Sequence, residues 1–571
     1  MNPIGFLAFA LFSPPVLATA APAVPFAHLQ ETDLEEWIER GRRAMDAGDL
    51  QQARQILEQA AALDKDGEQG LIWLLRLEIA EGKHDSVLGQ VSSLRSEGAD
   101  GLDYEYLLGM AMAAKCANDM AAGGSSSLQF FLEDARNTLA KVTEADPARY
   151  RDAHAELSWI AFELSDLDLT ERAATAALEL NPDQPNQEMQ LGRVYLARLA
   201  VAYQEQPADL ENLKSHADPA ELHLGRVIQL IPSDTPDAGL LTLAAQAHGQ
   251  IATVRAYLSD QDGAALAYTE ALVLDPNAVN LGTALSVVEN ERFTKLLAEA
   301  SRRFTERHGQ RDARDATLQW WLGWALYDTN DPREFDNSEA AFRKALDKYP
   351  AFTTAHYYLG LVSFARQEYD DALEHLRTHA RLAPEELYSL VGNDGDNLPR
   401  LTGLLDHFYQ AGRLGEASFM GNLLARGYPT YAPYWNNLGL FLRDHGAMLA
   451  AVANRDGDDS EESASEIAQT YEQSYNAYVR ALDLEPENPA YLNDTAVILH
   501  YYLERDYENA LEMYARAAIA AQEQLDSGDV PANEAEIVRI ALRDAKNNRA
   551  LLERKIADEA RGEAKQEATG G

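Results

Sequence analysis

The sequence predicts an all-α chain: an α-solenoid of about twelve repeated helix–turn–helix units, finished by a C-terminal capping helix. Three observations predict it. The segment Ala-Leu-x-Leu-x-Pro returns at residues 177–182, 271–276 and 481–486. Each copy closes a helix, because proline cannot continue one and drives the residue before it toward an extended conformation. Elsewhere apolar residues follow helical spacing, and the alternating β-branched runs that mark strands are absent.

The unit is clearest at residues 353–386. Leu359-Gly360 lie mid-way along a first helix, Ala372 opens a second, Leu376 follows four residues later and Pro384 ends it. Small residues stand where two helices approach closely, and large ones fill the space beside them. Further copies carry Leu108-Gly109 with Ala135, Leu139 and Pro147, then Leu191-Gly192 with Tyr195, Ala220, Leu224 and Pro232. Leu322-Gly323 joins Phe342, Ala345 and Pro350, and Leu438-Gly439 joins Tyr478, Ala481 and Pro486. Ala264, Tyr268, Ala271 and Pro276 make a second-helix half. Trp37, Gly41, Gly48, Ala53, Leu57 and Ala60 near the start, and Ala510, Tyr514 and Ala517 near the end, keep the same spacing. The pattern resembles the tetratricopeptide repeat, a 34-residue helix–turn–helix unit. The resemblance implies a right-handed solenoid. Closing prolines 34 residues apart at Pro350 and Pro384, but 50 apart at Pro182 and Pro232 and 57 apart at Pro429 and Pro486, require inserted turns or lengthened helices.

Along the chain, residues 1–20 read as a secretory signal: an apolar run from Ile4 to Phe12, then Ala18-Thr19-Ala20 as a cleavage site. Residues 21–31 form a linker, and Thr32 with Glu35 makes a capping box for the first repeat helix. The repeats span 32–526, with insertions near 120–128, 387–397 and 447–470. The acidic stretch Asn454 to Glu466 lacks large apolar residues and reads as disordered. Residues 533–560 read as a capping helix with Ile537, Ile540, Ala541, Ala545, Leu551, Leu552 and Ile556 on one side, followed by a disordered tail at 561–571.

Acidic residues outnumber basic ones 92 to 49, for a net charge of −43 spread over nearly every helix. This reads as a solvated surface or as a preference for basic partners. It excludes direct nucleic-acid binding, which needs a clustered basic face. The single cysteine, Cys116, allows no internal disulfide and no cysteine metal cluster. It sits in an Ala- and Met-rich helix as a small buried hydrophobe.

No catalytic constellation is present: there is no phosphate-binding glycine loop, no nucleophile elbow and no Cys/His pair. His375 and His379 stand one helical turn apart, a spacing that suits packing or zinc, but without the glutamate of a zinc-protease helix. Asp394 and Asp396, and the group from Asp456 to Glu462, lack the spacing of a calcium loop. No cofactor, metal or small-molecule substrate is expected, and the chain reads as a non-enzyme. Asn493-Asp494-Thr495 is a formal glycosylation sequon inside a repeat helix and is discounted.

What remains is a binding surface. In the family that the chain resembles, positions 2, 5, 9 and 12 of each first helix line a groove. Carried onto this sequence, they give Trp320, Trp324 and Tyr327, then Thr354, Tyr357, Leu361 and Phe364. Further on they give Asn436, Leu440 and Arg443, then Asn493, Val497 and His500. The alternative is that the aromatic residues among them fill the core. An aromatic groove suits an amphipathic helix or an extended apolar peptide. The reading is an exported scaffold, periplasmic or secreted, holding a protein or peptide partner in this groove. The alternatives are a cytosolic scaffold or co-chaperone and an accessory subunit of polysaccharide synthesis or export.

Overall fold

The computed structural model describes residues 34–64, 67–122, 128–207, 209–309, 312–527, 531 and 535–570. The signal, the linker, Thr32 and most of the insertion near 120–128 lie outside the described residues. The chain divides into two compact units, Met1–Ala325 and Leu326–Gly571. Every regular element among the described residues is helical, as the sequence predicts.

The first unit holds α1 (Leu34–Asp46), α2 (Leu50–Leu63), α3 (Gln69–Ala80), α4 (His84–Ser96), α5 (Leu102–Ala121), α6 (Leu128–Ala145), α7 (Ala153–Glu163), α8 (Leu167–Leu180), α9 (Pro185–Glu205), α10 (Leu210–Leu230), α11 (Ala238–Tyr257), α12 (Gln261–Leu274), α13 (Leu281–Val287) and α14 (Asn290–His308). The boundary falls inside α15 (Asp315–Asp328). The second unit continues with α16 (Phe335–Lys348), α17 (Thr354–Ala365), α18 (Tyr369–Leu382), α19 (Pro384–Asn393), α20 (Leu398–Gln410), α21 (Leu414–Gly427), α22 (Ala432–Asp456), α23 (Glu461–Leu484), α24 (Pro489–Val497), α25 (Tyr507–Ser527) and α26 (Ala535–Gly570). In chain order the described helices make twelve first-and-second pairs, with α19 between two of them and α26 last.

Several pairs close on the same contact. A β-carbon added at Gly109 would lie 2.6 Å from the Leu139 side chain, and one at Gly192 2.6 Å from Leu224. At Gly360 it would meet the Ala372 carbonyl and Leu376 at 3.1 Å, and at Gly439 the Tyr478 ring at 2.6 Å. Only a residue without a side chain lets the second helix press a large side chain onto the first helix's backbone. In the Gly439 pair Ser474 takes the usual alanine position, and its hydroxyl donates to the Gly439 carbonyl at 2.7 Å.

The turns inside the pairs also repeat. Gly48, Ser165, Ser259, Gln367 and Gly412 all adopt left-handed backbone, with φ of 60 to 75°. The amide one residue later then donates back to a carbonyl five residues earlier: Asp49 to Ala44, Asp166 to Ala161, Asp260 to Arg255, Glu368 to Ser363 and Arg413 to Phe408, each at 2.9 Å. This bond satisfies a carbonyl left open at the end of the first helix. Asp49, Asp166 and Asp260 then cap the second helix, accepting from the amides of Gln52, Leu169 and Gly263. At the far end the residues before proline are extended, with φ of −150° at Asn181, −154° at Asp275 and −134° at Glu485. The recurring Pro thus stops each helix where the sequence predicts.

Three boundaries differ from the expectation. Residues 454–466 are not a long loop: α22 runs to Asp456, Gly457 turns the chain with φ of 67°, and α23 begins at Glu461. The run Ala447–Ala453 favours helix, Ser460 caps the Ser463 amide, and Glu461 and Glu462 suit a helix N-terminus. The long proline spacing is therefore taken up by helices of 25 and 24 residues. Residues 387–397, read as an insertion, form most of α19 and a 3₁₀ turn, Gly395–Asn397. The last helix continues to Gly570, beyond the boundary read at 560. It buries Val538, Ala541, Ala545 and Leu552, while Ile537, Ile540 and Leu551 are exposed. The buried stripe is offset from the one read in the sequence because, on a helix this rich in apolar residues, two neighbouring stripes are both periodic and packing on α24 and α25 selects one.

The helix contact has a direct test. Gly360→Leu and Gly439→Ala should each cost roughly 1–3 kcal/mol through overpacking. Asp459→Ala, at an exposed turn residue, should stay within about 0.5 kcal/mol of the parent. Three matching thermal melts would show that these glycines do not set the helix spacing.

Candidate partner-binding groove

Trp320 and Trp324 lie on α15 in the first unit, both half-buried. They are joined by a residue that the repeat positions pass over. The Trp321 ring stands edge-on to Trp320 at 5.1 Å and to Trp324 at 5.6 Å, and packs edge-on to Phe293 at 6.3 Å. Trp321 and Trp324 also pack against the large apolar cluster of this unit. The tryptophans therefore form one cluster that is part core and part surface.

Tyr327, Tyr357, Leu361 and Phe364 belong to the second unit. The first three are buried and Phe364 is half-buried. The segment after α19 covers the tyrosines. The Tyr357 hydroxyl donates to Asp394 Oδ2 at 3.1 Å, the Tyr327 hydroxyl donates to Asn397 Oδ1, and Asn397 Nδ2 donates to Asp394 Oδ2 at 2.7 Å. Arg400 lies over the Tyr327 ring at 5.0 Å and donates to Asn397 and Asn330 at 2.7 Å. Burial, then the Asp394 charge, raises the Tyr357 phenol well above its ordinary value. Phe364 faces Gly403 of α20, where a β-carbon would come to 3.0 Å of the ring. In this part of the unit the tyrosines at the groove positions are engaged by the chain's own Asp394 and Asn397, so no partner reaches their hydroxyls unless that segment opens.

Asn436, Arg443 and Asn493 sit further along the same unit, and two of them converge on a residue absent from the repeat positions. Asn436 Nδ2 donates to Asp494 Oδ2 at 3.4 Å and Asn493 Nδ2 to Asp494 Oδ1 at 3.3 Å. Asn548 of α26 donates to Asn493 Oδ1 at 3.2 Å and accepts from the Tyr501 hydroxyl at 3.2 Å. Arg443 turns aside to Asp444 Oδ1, at 2.7 Å through Nη2. Asn493 is buried, while Asn436 and Arg443 are half-buried. Asp494 follows a groove position directly and carries charge, which is the signal that could have found it.

The first unit holds a comparable network. Arg76 Nε of α3 donates to the Tyr106 hydroxyl of α5 at 3.0 Å and to Asp152 Oδ2 at 3.1 Å, and Tyr106 donates to the same oxygen at 2.7 Å. Tyr150 and Arg149 both donate to Asp103. Tyr106 and Asp103 stand three and six residues before Gly109, as Trp320 does before Gly323. Applying the groove positions to this early repeat would have found them.

His375 and His379 are held by packing. His356 Nδ1 lies 3.2 Å from His375 Nδ1, and His379, fully buried, meets Glu386 Oε2 at 3.1 Å. No group of three or more metal-ligating side chains is gathered among the described residues. None of the described helices is long and apolar enough to cross a membrane. Cys116 is buried, which pushes its thiol up to about 11.

Two expected outcomes follow from this geometry. Tyr357→Ala should cost roughly 3–5 kcal/mol as a core truncation. Tyr357→Phe should cost only about 0.5–1.5 kcal/mol, the hydrogen bond to Asp394 alone. Equal, small losses in chemical denaturation would place Tyr357 outside the core. The second outcome is a pH effect. Burial, then His356 and Arg343, lowers His375 to about 4, with Asp371 and Glu339 opposing them. The unfolded chain then binds the proton first, so this residue's stabilisation is full above about 6.5 and is lost as pH falls from there toward 4. Denaturation across that window should give a shallower acid loss in His375→Gln, and unchanged slopes would refute the assignment.

Residues 333–386 match the tetratricopeptide repeat family model. No curated protein matches the chain. Among solved structures, the chain is similar to a thermophilic TPR protein, TTC0263 of Thermus thermophilus. Identity is 21%, covering 33% of this chain and 98% of that one, with a TM-score of 0.24. It is similar to the APC/C hetero-tetramer Cut9–Hcn1 at 13% identity, covering 90% and 96%, with a TM-score of 0.27. It is also similar to the apo form of RapI at 11% identity, covering 69% and 97%, with a TM-score of 0.37. The family model is matched at α16–α18, which are therefore tetratricopeptide-repeat sequence, and the glycine contact, the left-handed turn and the closing proline of that segment recur in other pairs.

Proposed function

We propose that this chain is an exported scaffold that holds a protein partner on the first helices of its repeats. Tetratricopeptide repeats generally serve as protein–protein interaction scaffolds and are typically non-enzymatic. The observation that carries the groove reading is the character of the groove positions. Trp320, Trp324, Phe364, Asn436 and Arg443 are half-buried, large or polar, where a face with no use would need neither tryptophan nor arginine. The net charge of −43 favours a basic partner. The apolar run followed by Ala18-Thr19-Ala20 supports export to the periplasm or the medium.

The test uses the full chain. N-terminal sequencing of the mature protein should begin at Ala21, and an intact Met1 would refute export. Affinity capture from the native source, followed by purification of the captured protein, gives the partner. Its binding to the Trp320→Ala/Trp324→Ala variant should weaken at least tenfold while the variant remains folded in a thermal melt. Undiminished binding by the folded variant would remove this face from the interaction.

A further inference from the structure

The last helix of the second unit leaves a valley open beside it. In the described pairs a first helix lies between two second helices, as α11 does between α10 and α12 and α22 between α21 and α23. α26 is placed like a further first helix, packed on α24 and on α25. Among the described residues no helix takes on α26 the place that α12 takes on α11. The valley between α25 and α26 holds a volume of about 600 Å³, and six of its nine lining residues are exposed.

Half-buried Ala515, Ala518 and Ala550 line it, and Ile519 stands among them with 59% of its surface exposed. The α26 wall carries Lys546 and Arg549, both exposed. Lys546 makes no ion pair with a described residue. Arg549 Nε donates to Glu553 Oε1 at 2.9 Å, an exposed pair on one helix that contributes little. Gln522 and Glu523 stand on the α25 wall. The cations belong to a longer basic stretch: residues 539–555 hold six Lys and Arg against two Asp and Glu, in a chain whose net charge is −43. The α26 wall is thus opposite in sign to the chain as a whole.

We propose that this valley binds an amphipathic α-helix of a partner protein, its apolar stripe laid on Ile519 and the three alanines and a row of acidic residues along the edge that faces Lys546 and Arg549. A helix is the occupant because the place is the one a second helix fills elsewhere in the fold, and small residues beside one large one let it approach closely. A small molecule is a poorer complement, since such ligands sit in sites that enclose most of their surface. The acidic edge follows from Lys546, which lacks a counter-ion, and Glu523 keeps the opposite edge free of acidic residues. Charges are screened beyond about 8 Å at physiological salt, so the wall in contact outweighs the acidic surface further away. The proposal goes beyond the scaffold reading above and uses other helices than the one that carries Trp320 and Trp324.

The test titrates the full chain, in about 150 mM salt, with fluorescein-labelled helical peptides longer than about 15 residues, above which an isolated helix is no longer marginal. The first peptide has a leucine stripe with glutamate along one edge and glutamine along the other. A second replaces its glutamates by lysine, and a third its leucines by serine. The glutamate peptide should bind at least tenfold more tightly than either. Lys546→Glu should lose at least tenfold of that affinity and bind the lysine peptide at least threefold more tightly than the parent does. Lys344→Glu, an exposed lysine on α16 in the same unit, should change either affinity less than twofold. Ile519→Ser should weaken the glutamate peptide at least fivefold. Thermal melts report that each variant is folded; should Ile519→Ser not fold, Lys546→Glu carries the comparison. Equal effects of Lys546→Glu and Lys344→Glu, or tighter binding of the lysine peptide to the parent, would reduce the binding to general charge attraction and overturn the proposal. Sedimentation showing a dimer that Ile519→Ser abolishes would make a second copy the occupant and overturn the partner assignment. If the peptides fail while the captured native partner still depends on Trp320 and Trp324, the valley falls as a binding site and the scaffold reading stands.

Discussion

The approach of two helices at a residue with no side chain is the constraint on which the rest depends. At Gly109, Gly192, Gly360 and Gly439 the second helix of a pair lays a leucine or tyrosine directly on the first helix's backbone. That contact sets the spacing inside these pairs, and the spacing sets which side chains are covered. Alanines at the crossing, such as Ala135, Ala220 and Ala372, are fully buried for the same reason. A side chain of ordinary size at either position would push the helices apart, and a packed interior yields to such pressure only at a cost.

The turns convert that contact into a repeat. A left-handed residue ends the first helix and a returning amide closes it. Serine and glutamine occupy this conformation at Ser165, Ser259 and Gln367, at φ of 60 to 64°, where a side chain costs energy. The packed pair on either side holds them there. Stability in this architecture is local, summed over neighbouring pairs, so a long insertion can be absorbed as extra helical turns without disturbing the next contact. The long α22 and α23 are one such case.

The polar networks follow from the same geometry. The first helices of neighbouring repeats come close enough to share hydrogen bonds, as Arg76, Tyr106 and Asp152 do in one unit and Asn436 and Asp494 do in the other. A chain using those helices only for packing would fill the positions with apolar residues, since each buried polar group must be matched to avoid a penalty. The second unit shows both outcomes. Around Tyr327 and Tyr357 the chain supplies Asp394 and Asn397 as partners. Around Asp494 the matching is incomplete: Asn436 Oδ1 and the Tyr478 hydroxyl are buried without a partner.

The sequence by itself determined the fold class, the pairing of helices and their ends, because these are local: a proline stops a helix and a glycine admits a neighbour wherever they occur. Of the groove positions named from the sequence, the structure brings Asn436 and Asn493 onto Asp494 and joins Trp320 and Trp324 through Trp321. The tertiary structure alone decided what each groove position faces. Tyr357 is covered because the segment after α19 folds back to bond its hydroxyl, and repeat spacing carries no information on how an inserted segment lies. The same holds for Asp494, which meets Asn436 only when α22 and α24 are brought together, and for α26, whose two periodic faces are equivalent until α24 and α25 cover one. Periodicity is a property of one helix; burial is a property of its neighbours.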